Sequence, residues 1–271
     1  MRTNKIALVP LLALLSFSAL CAQSGEGFPY ALDPVKDTAW IAGDLGIFGA
    51  SLYLDGLKSS ANPAVPDGSK IPFFDKLYTT SHNAALGTTA DVLTIAFAAA
   101  PAIALPGLSA KETLTLGAMY GETLGLAYGL DELIKSLVVR DRPYAYSSPP
   151  PSDIGSLDIQ SSFPSRHSTL AFASAVFAAS VFDELHPDSP YRAAVWAGGL
   201  GVAALVASLR VVSGDHFVSD VAAGAALGAL IGFGVPFLHR IVSEAGASVA
   251  KGLSLSPAPM GLVVSYHFTT K

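Results

Sequence analysis

The chain has 271 residues, enough for one domain with a sizeable core. Hydrophobic residues make up 51% and charged residues only 14%, against roughly 25% charged in an average soluble domain. That is the composition of a lipid-contacting or unusually apolar helical protein. The net charge of −5, with no basic run, argues against a nucleic-acid partner.

Arg2 and Lys5 precede an apolar run from Ile6 to Leu20, with small residues at Cys21 and Ala22. This pattern predicts an export signal over 1–22, since the run is short for a membrane span. Cys21 is the only cysteine, so the remainder has no disulfide and no paired-cysteine metal site. Lipid attachment at Cys21 is an alternative, although Leu20 is bulky for such a site.

Helix-length apolar stretches follow at about 38–57, 84–105, 112–139, 167–183, 192–211 and 217–240, many rich in Ala and Gly. The first carries Asp44 and Asp55 and is expected to lie along a surface. Residues 58–75 hold Pro63, Pro66, Gly68 and Pro72 and read as a loop. Residues 143–163, with Pro143, Pro149, Pro150, Pro151 and many serines, read as a second loop bordering a site. Near the C-terminus the apolar period changes to two, predicting a β-hairpin at about 252–268 with its turn at Pro257–Gly261. The expected organisation is a signal at 1–22, an N-terminal helix and loop at 23–83, a helical domain at 84–240 and a tail at 241–271.

Three short segments carry the chemistry: Lys135-x6-Arg142-Pro143, Pro164-Ser165-Arg166-His167, and Arg210-x5-His216-x3-Asp220. In an up-and-down bundle, Lys135 to Arg142 end the third helix, His167 begins the fourth, Arg210 ends the fifth and His216 begins the sixth. Those ends fall on one side, so the segments converge. Lys135, Arg142 and Arg210 suit phosphate oxygens. His216 and Asp220, four apart, share a helix face, and a carboxylate on one ring nitrogen leaves the other free to attack. His167 opens an apolar helix whose first amide groups favour anions, with Ser165 adding a hydroxyl. Taken singly, each motif suits a capped helix start or a cation snorkelling at a membrane surface. Their order and consistent topology favour one phosphate site.

With these motifs the chain resembles the type 2 phosphatidic acid phosphatase family, which shares its fold with the vanadium haloperoxidases. The likeness covers 135–220 in motifs, and Ser213-Gly214-Asp215-His216-Phe217-Val218-Ser219-Asp220 is especially close. The resemblance implies an all-α, six-helix bundle and a phosphohistidine mechanism needing neither metal nor cofactor. It implies His216 as nucleophile, His167 as general acid and Asp220 as orienter. Lys135, Arg142, Ser165, the backbone at Arg166, and Arg210 would form the phosphate cradle. Two positions depart from the family pattern: Arg166 stands where the family has Gly, and Leu209 where it has Ser.

Other polar residues read more simply. Asp131 and Glu132 are expected to pair with Lys135, and Arg140 to line or flank the site. Asp44 and Asp91 are expected to face the bundle interior. His82, His186, His239 and His267 read as structural or surface residues. The expected function is hydrolysis of a lipid phosphate or diphosphate in the bacterial envelope. The expected partners are that substrate and membrane lipids, with the site facing the periplasm. The competing readings are a vanadate-dependent haloperoxidase, a soluble periplasmic acid phosphatase, a lipid phosphotransferase and a non-catalytic anion-binding protein.

Overall fold

The computed structural model describes residues 27–57, 66–76, 81–147, 158–240, 253–258 and 261–266. The expected signal segment and Cys21 lie outside them. Among the described residues, six α-helices form the body: α1 Pro34–Leu57, α2 Ala84–Phe97, α3 Ala110–Leu137, α4 Arg166–Leu185, α5 Arg192–Val212 and α6 Val218–His239. The all-α architecture is as expected, and the helix limits differ from the apolar runs by a few residues. The second run is not one helix. It breaks after Phe97 and continues as a 3-10 turn at Ala100–Ala104, because the ring of Pro101 clashes with an α-helical carbonyl four residues back.

Helix starts follow local chemistry. Ser109 caps α3 through the Glu112 amide, while the Glu112 carboxylate accepts from the Ser109 amide. Asn83 caps α2 by accepting from the Leu86 amide. The centre of the bundle is α4, whose middle, Ala171 to Phe182, is almost wholly buried.

α4 and α6 meet along a stripe of glycines at 224, 228 and 232. A Cβ built on Gly224, Gly228 or Gly232 would lie 2.5, 2.1 or 2.4 Å from the carbonyl oxygen of Ser165, Thr169 or Ala173. Only a residue without a side chain permits that approach. It brings the start of α6, with Asp220, against the start of α4; the Ser165 amide donates to the Asp220 carbonyl at 3.0 Å.

α1 packs on α3, with Asp44 and Ile47 facing Gly125 and Gly129. At its start, buried Asp37 joins Glu122 of α3 and His239 of α6: His239 Nε2 lies 3.1 Å from Asp37 and 3.2 Å from Glu122. His239, expected to be structural or superficial, is therefore a buried tie among three helices. Among the described residues, four segments, Ala84–Ala104, Arg166–Leu185, Arg192–Val212 and Val218–His239, are long and apolar enough to cross a membrane.

The C-terminal residues form a separate unit. β1 Leu253–Ala258 and β2 Gly261–Tyr266 pair antiparallel, with Leu253 opposite Tyr266 and Ala258 opposite Gly261. The hairpin is present, but Pro257 stands in β1 opposite Leu262 rather than in the turn. In a two-stranded ribbon both strands are edges, where a missing amide proton is tolerated.

Candidate active site

The C-terminal ends of α3 and α5 and the N-terminal ends of α2, α4 and α6 lie together, as the helix order requires. Between them is a polar cavity of about 360 Å³. Lys135, Arg142, Arg166, His167, Arg210 and His216 all line it. The segment after α3 is pinned beside the one before α4: the Arg140 amide donates to the Gln160 carbonyl, the Ser162 amide to the Arg140 carbonyl, and the Arg142 amide to the Ile159 carbonyl. This short parallel pairing fixes Arg142 relative to His216. The turn between α5 and α6 depends on Gly214, at φ 83°, a conformation that costs a side-chain-bearing residue.

His216 is 2% exposed. Its Nδ1 lies 2.7 Å from the Ser162 carbonyl oxygen and its Nε2 lies 3.3 Å from Arg142 Nη1. A carbonyl only accepts and a guanidinium only donates, so the proton belongs on Nδ1 and the lone pair on Nε2. Burial, together with the charges of Arg142, Arg210 and Lys135, holds this imidazole well below its ordinary pKa. The neutral ring, with its lone pair on Nε2, is the nucleophilic form.

Asp220 lies beside this ring but not on it. Its Oδ2 is 3.7 Å from His216 Nδ1, beyond hydrogen-bonding range. The direct contact expected from the spacing is replaced by the Ser162 carbonyl. Asp220 instead accepts from the Ser162 hydroxyl at 2.6 Å, the Phe217 amide at 2.8 Å and Arg140 Nη1 at 2.5 Å. It braces the loop that carries His216 and the residue whose carbonyl orients the ring.

Arg140 is a support behind the cavity, not part of its lining. Its guanidinium joins Asp220 to Asp75, each at 2.5 Å, and lies over the Phe217 ring at 4.4 Å. Asp75 also accepts from the Ser219 amide and hydroxyl. Burial alone would raise the Asp75 pKa, but these bonds to Ser219 and the Arg140 charge hold it below the usual carboxylate value.

The cradle residues have anionic neighbours. Arg210 reaches Asp91 and Asp215, each at 3.2 Å. Arg142 reaches the Asp158 side chain at 3.1 Å, and Lys135 reaches Asp131 at 2.5 Å. His167 Nε2 is 2.7 Å from Asp91, so this carboxylate holds a proton on that nitrogen. Among the described residues, the Ser165 hydroxyl and Arg210 Nε are buried without a hydrogen-bond partner. Both belong to residues of the expected cradle, and both are donors suited to an anion. Arg166 turns its side chain toward α3, where it bonds Glu132 and covers the Tyr128 ring at 5.0 Å.

Several contributors were not assigned to the site by the sequence. Asp91 faces the cavity, Asp158 enters from the serine-rich loop, and Asp215 immediately precedes His216. His82, expected to be incidental, lines the cavity, stacks on Tyr144 and lies 3.4 Å from Asp215. Asp215 had a signal in its place inside the Ser213–Asp220 segment, Asp91 in being expected to face the bundle interior, and Asp158 only in belonging to the loop expected to border a site. Among the described residues, the grouping with metal-ligand spacing is Asp37, Glu122 and His239. It contributes nothing to the lining of this cavity.

The profile of the PAP2 superfamily matches residues 116–243, which contain all three motifs. A search of curated proteins finds no matching relative. Among solved structures, the first transmembrane PAP2 type phosphatidylglycerolphosphate phosphatase from Bacillus subtilis aligns with 84% of this chain and 92% of its own at 20% identity, with a TM-score of 0.44.

Proposed function

We propose that this chain, a member of the PAP2 superfamily, hydrolyses a lipid phosphate or diphosphate through a phosphohistidine at His216. The observation that carries this reading is the convergence of Lys135, Arg142, Arg210, His167 and His216 on one polar cavity in a bundle of apolar helices.

In the proposed reaction, the phosphoryl group rests among Lys135, Arg142, Arg210, Ser165 and the first amides of α4. His216 Nε2 attacks phosphorus in line with the leaving oxygen. The N–P bond forms as the P–O bond breaks, and His167, as the imidazolium in the substrate complex, gives a proton to the departing oxygen and is left neutral. Water then attacks phosphorus from the side vacated by the leaving group. His167 takes a proton from that water, the N–P bond breaks and His216 recovers its lone pair. The three cations stabilise charge on the equatorial oxygens in both steps. Ser162 holds the nucleophile's tautomer, and Asp220 with Arg140 holds the loop.

The lipid class of the substrate is supported by the four apolar helices whose ends surround the cavity. The export-type start, with Arg2 and Lys5 before Ile6–Leu20, supports placement in the cell envelope with the cavity on the periplasmic side.

The test is phosphate release by detergent-purified protein from a panel of lipid phosphates and diphosphates, with a chelator present, beside His216→Ala. Chelator-resistant release by wild type that vanishes in a folded variant is the expected result. Full activity in His216→Ala would overturn the mechanism. No release from any lipid, with release from a soluble phosphate ester, would overturn the substrate class.

A further inference from the structure

We infer that Arg166 is a positioning residue for Lys135: it engages Glu132, so that two cations face two carboxylates beside the cradle and Lys135 stays available to the substrate anion. The inference rests on the phosphatase reading above and concerns a residue that reading does not use through its side chain.

Asp131 and Glu132 lie one turn before Lys135 on α3. Lys135 Nζ is 2.5 Å from Asp131 Oδ2 and 3.9 Å from Glu132 Oε1. Arg166, at the first position of α4, donates through Nη2 to the same Glu132 Oε1, and its Nε lies 3.7 Å from Asp131 Oδ2. The Lys135 side chain is 6% exposed, Asp131 0% and Glu132 17%, so solvent screens these three charges poorly, while the Arg166 side chain, 37% exposed, is partly screened. Asp131 is also held in place, since its Oδ1 accepts from the Thr169 hydroxyl at 3.1 Å.

The charge count decides the consequence. With Arg166 present, two positive charges meet two negative charges. Without it, one ammonium faces two carboxylates, and the wall of an anion-binding cavity carries an uncompensated negative charge. Glu132, released from its partner and already within 3.9 Å of Lys135, would draw the ammonium away from the anion. The stacking of the guanidinium on Tyr128 at 5.0 Å sets its direction. The position therefore needs a cation because Glu132 is present, and removing both charges together should be tolerated.

The experiment is a double-mutant cycle with Arg166→Gln, Glu132→Gln and the double variant, with Arg166→Lys as a conservative control. The readouts are the dissociation constant for inorganic orthovanadate and, with a lipid phosphate, KM and kcat separately. Arg166→Gln should weaken vanadate binding and raise KM about tenfold or more. Glu132→Gln alone should bind vanadate as tightly as wild type or tighter. The double variant should return to within about threefold of wild type, and Arg166→Lys should stay there. A purely structural role for Arg166 would not be repaired by neutralising Glu132. Arg166→Gln within twofold of wild type, or a double variant no better than Arg166→Gln, would overturn the inference and leave the phosphatase reading intact. The full pattern in vanadate binding without lipid-phosphate turnover would support the inference and overturn the substrate reading. A wild-type protein that binds no vanadate would overturn both.

Discussion

His216 takes its orientation from the carbonyl of Ser162, 2.7 Å from Nδ1, while the carboxylate of Asp220 stands 3.7 Å away. The carbonyl cannot donate, so it specifies the Nδ1–H tautomer by itself. Asp220 acts one step back, through the Ser162 hydroxyl and the Phe217 amide.

This arrangement predicts a mild Asp220→Asn phenotype. An amide oxygen in the place of Oδ2 can still accept from both Ser162 and Phe217, with the NH2 replacing the oxygen that faces Arg140, and nothing turns the imidazole over. A fall in kcat of about 10- to 100-fold is expected. In triads where the carboxylate touches the ring, the same change costs about 10⁴ through the wrong tautomer. Steady-state kinetics on the purified variant check this, and a loss near 10⁴ would mean that the carboxylate contacts the ring during turnover.

The buried position of His216 predicts how the enzyme responds to acid. Its folded pKa lies below that of the unfolded chain, near 6.5. The unfolded state therefore takes up a proton on this ring as pH falls below about 6.5, while the folded state does not. The stability that this group contributes is complete above that pH and declines below it, until the folded pKa is reached. Denaturation midpoints at pH 7.5 and 5 should fall further for wild type than for His216→Asn. By the same shift, the acid limb of kcat/KM set by His216 should lie below 6.5. A His216 ring that titrates at or above 6.5 in the folded protein, followed by NMR, would contradict this.

Arg140 ties two fully buried carboxylates, Asp75 and Asp220, to one guanidinium. Arg140→Ala would leave both carboxylates without that partner. A loss of about 3–5 kcal/mol is expected, the usual result of removing one partner from a buried ion pair. Chemical denaturation in detergent measures it. Arg140→Lys should recover only part, because one ammonium cannot span both acids as a planar fork does.

The glycine stripe on α6 predicts a graded packing series. Gly228 would place a Cβ 2.1 Å from the Thr169 carbonyl oxygen, whereas Gly234 has open space. Gly228→Ala should therefore destabilise by about 3 kcal/mol or more. It should also lower activity, because α4 and α6 carry His167 and Asp220. Gly234→Ala should be neutral or slightly stabilising. Thermal melting of the two variants side by side tests the contrast.

Much of this protein is determined by its sequence alone. Six helices follow from apolar run lengths and polar breaks, and their alternating direction brings Lys135, Arg142, His167, Arg210 and His216 to one side. Helix ends are decided by local chemistry, such as the Ser109–Glu112 capping box and the clash that Pro101 would cause, so they can be read over a few residues. The tertiary structure decided what touches what at the scale of one hydrogen bond. The four-residue spacing of His216 and Asp220 permits contact, but only the packing of the 159–162 segment against 140–142 puts the Ser162 carbonyl on the ring first. Asp75, 145 residues before Asp220, becomes its neighbour through Arg140, a relation with no local pattern. Arg166 stood out in the sequence as a cation where the related family has Gly. Its partner Glu132 emerged only when α3 and α4 were packed together, because charge pairing between helices depends on their rotation and spacing.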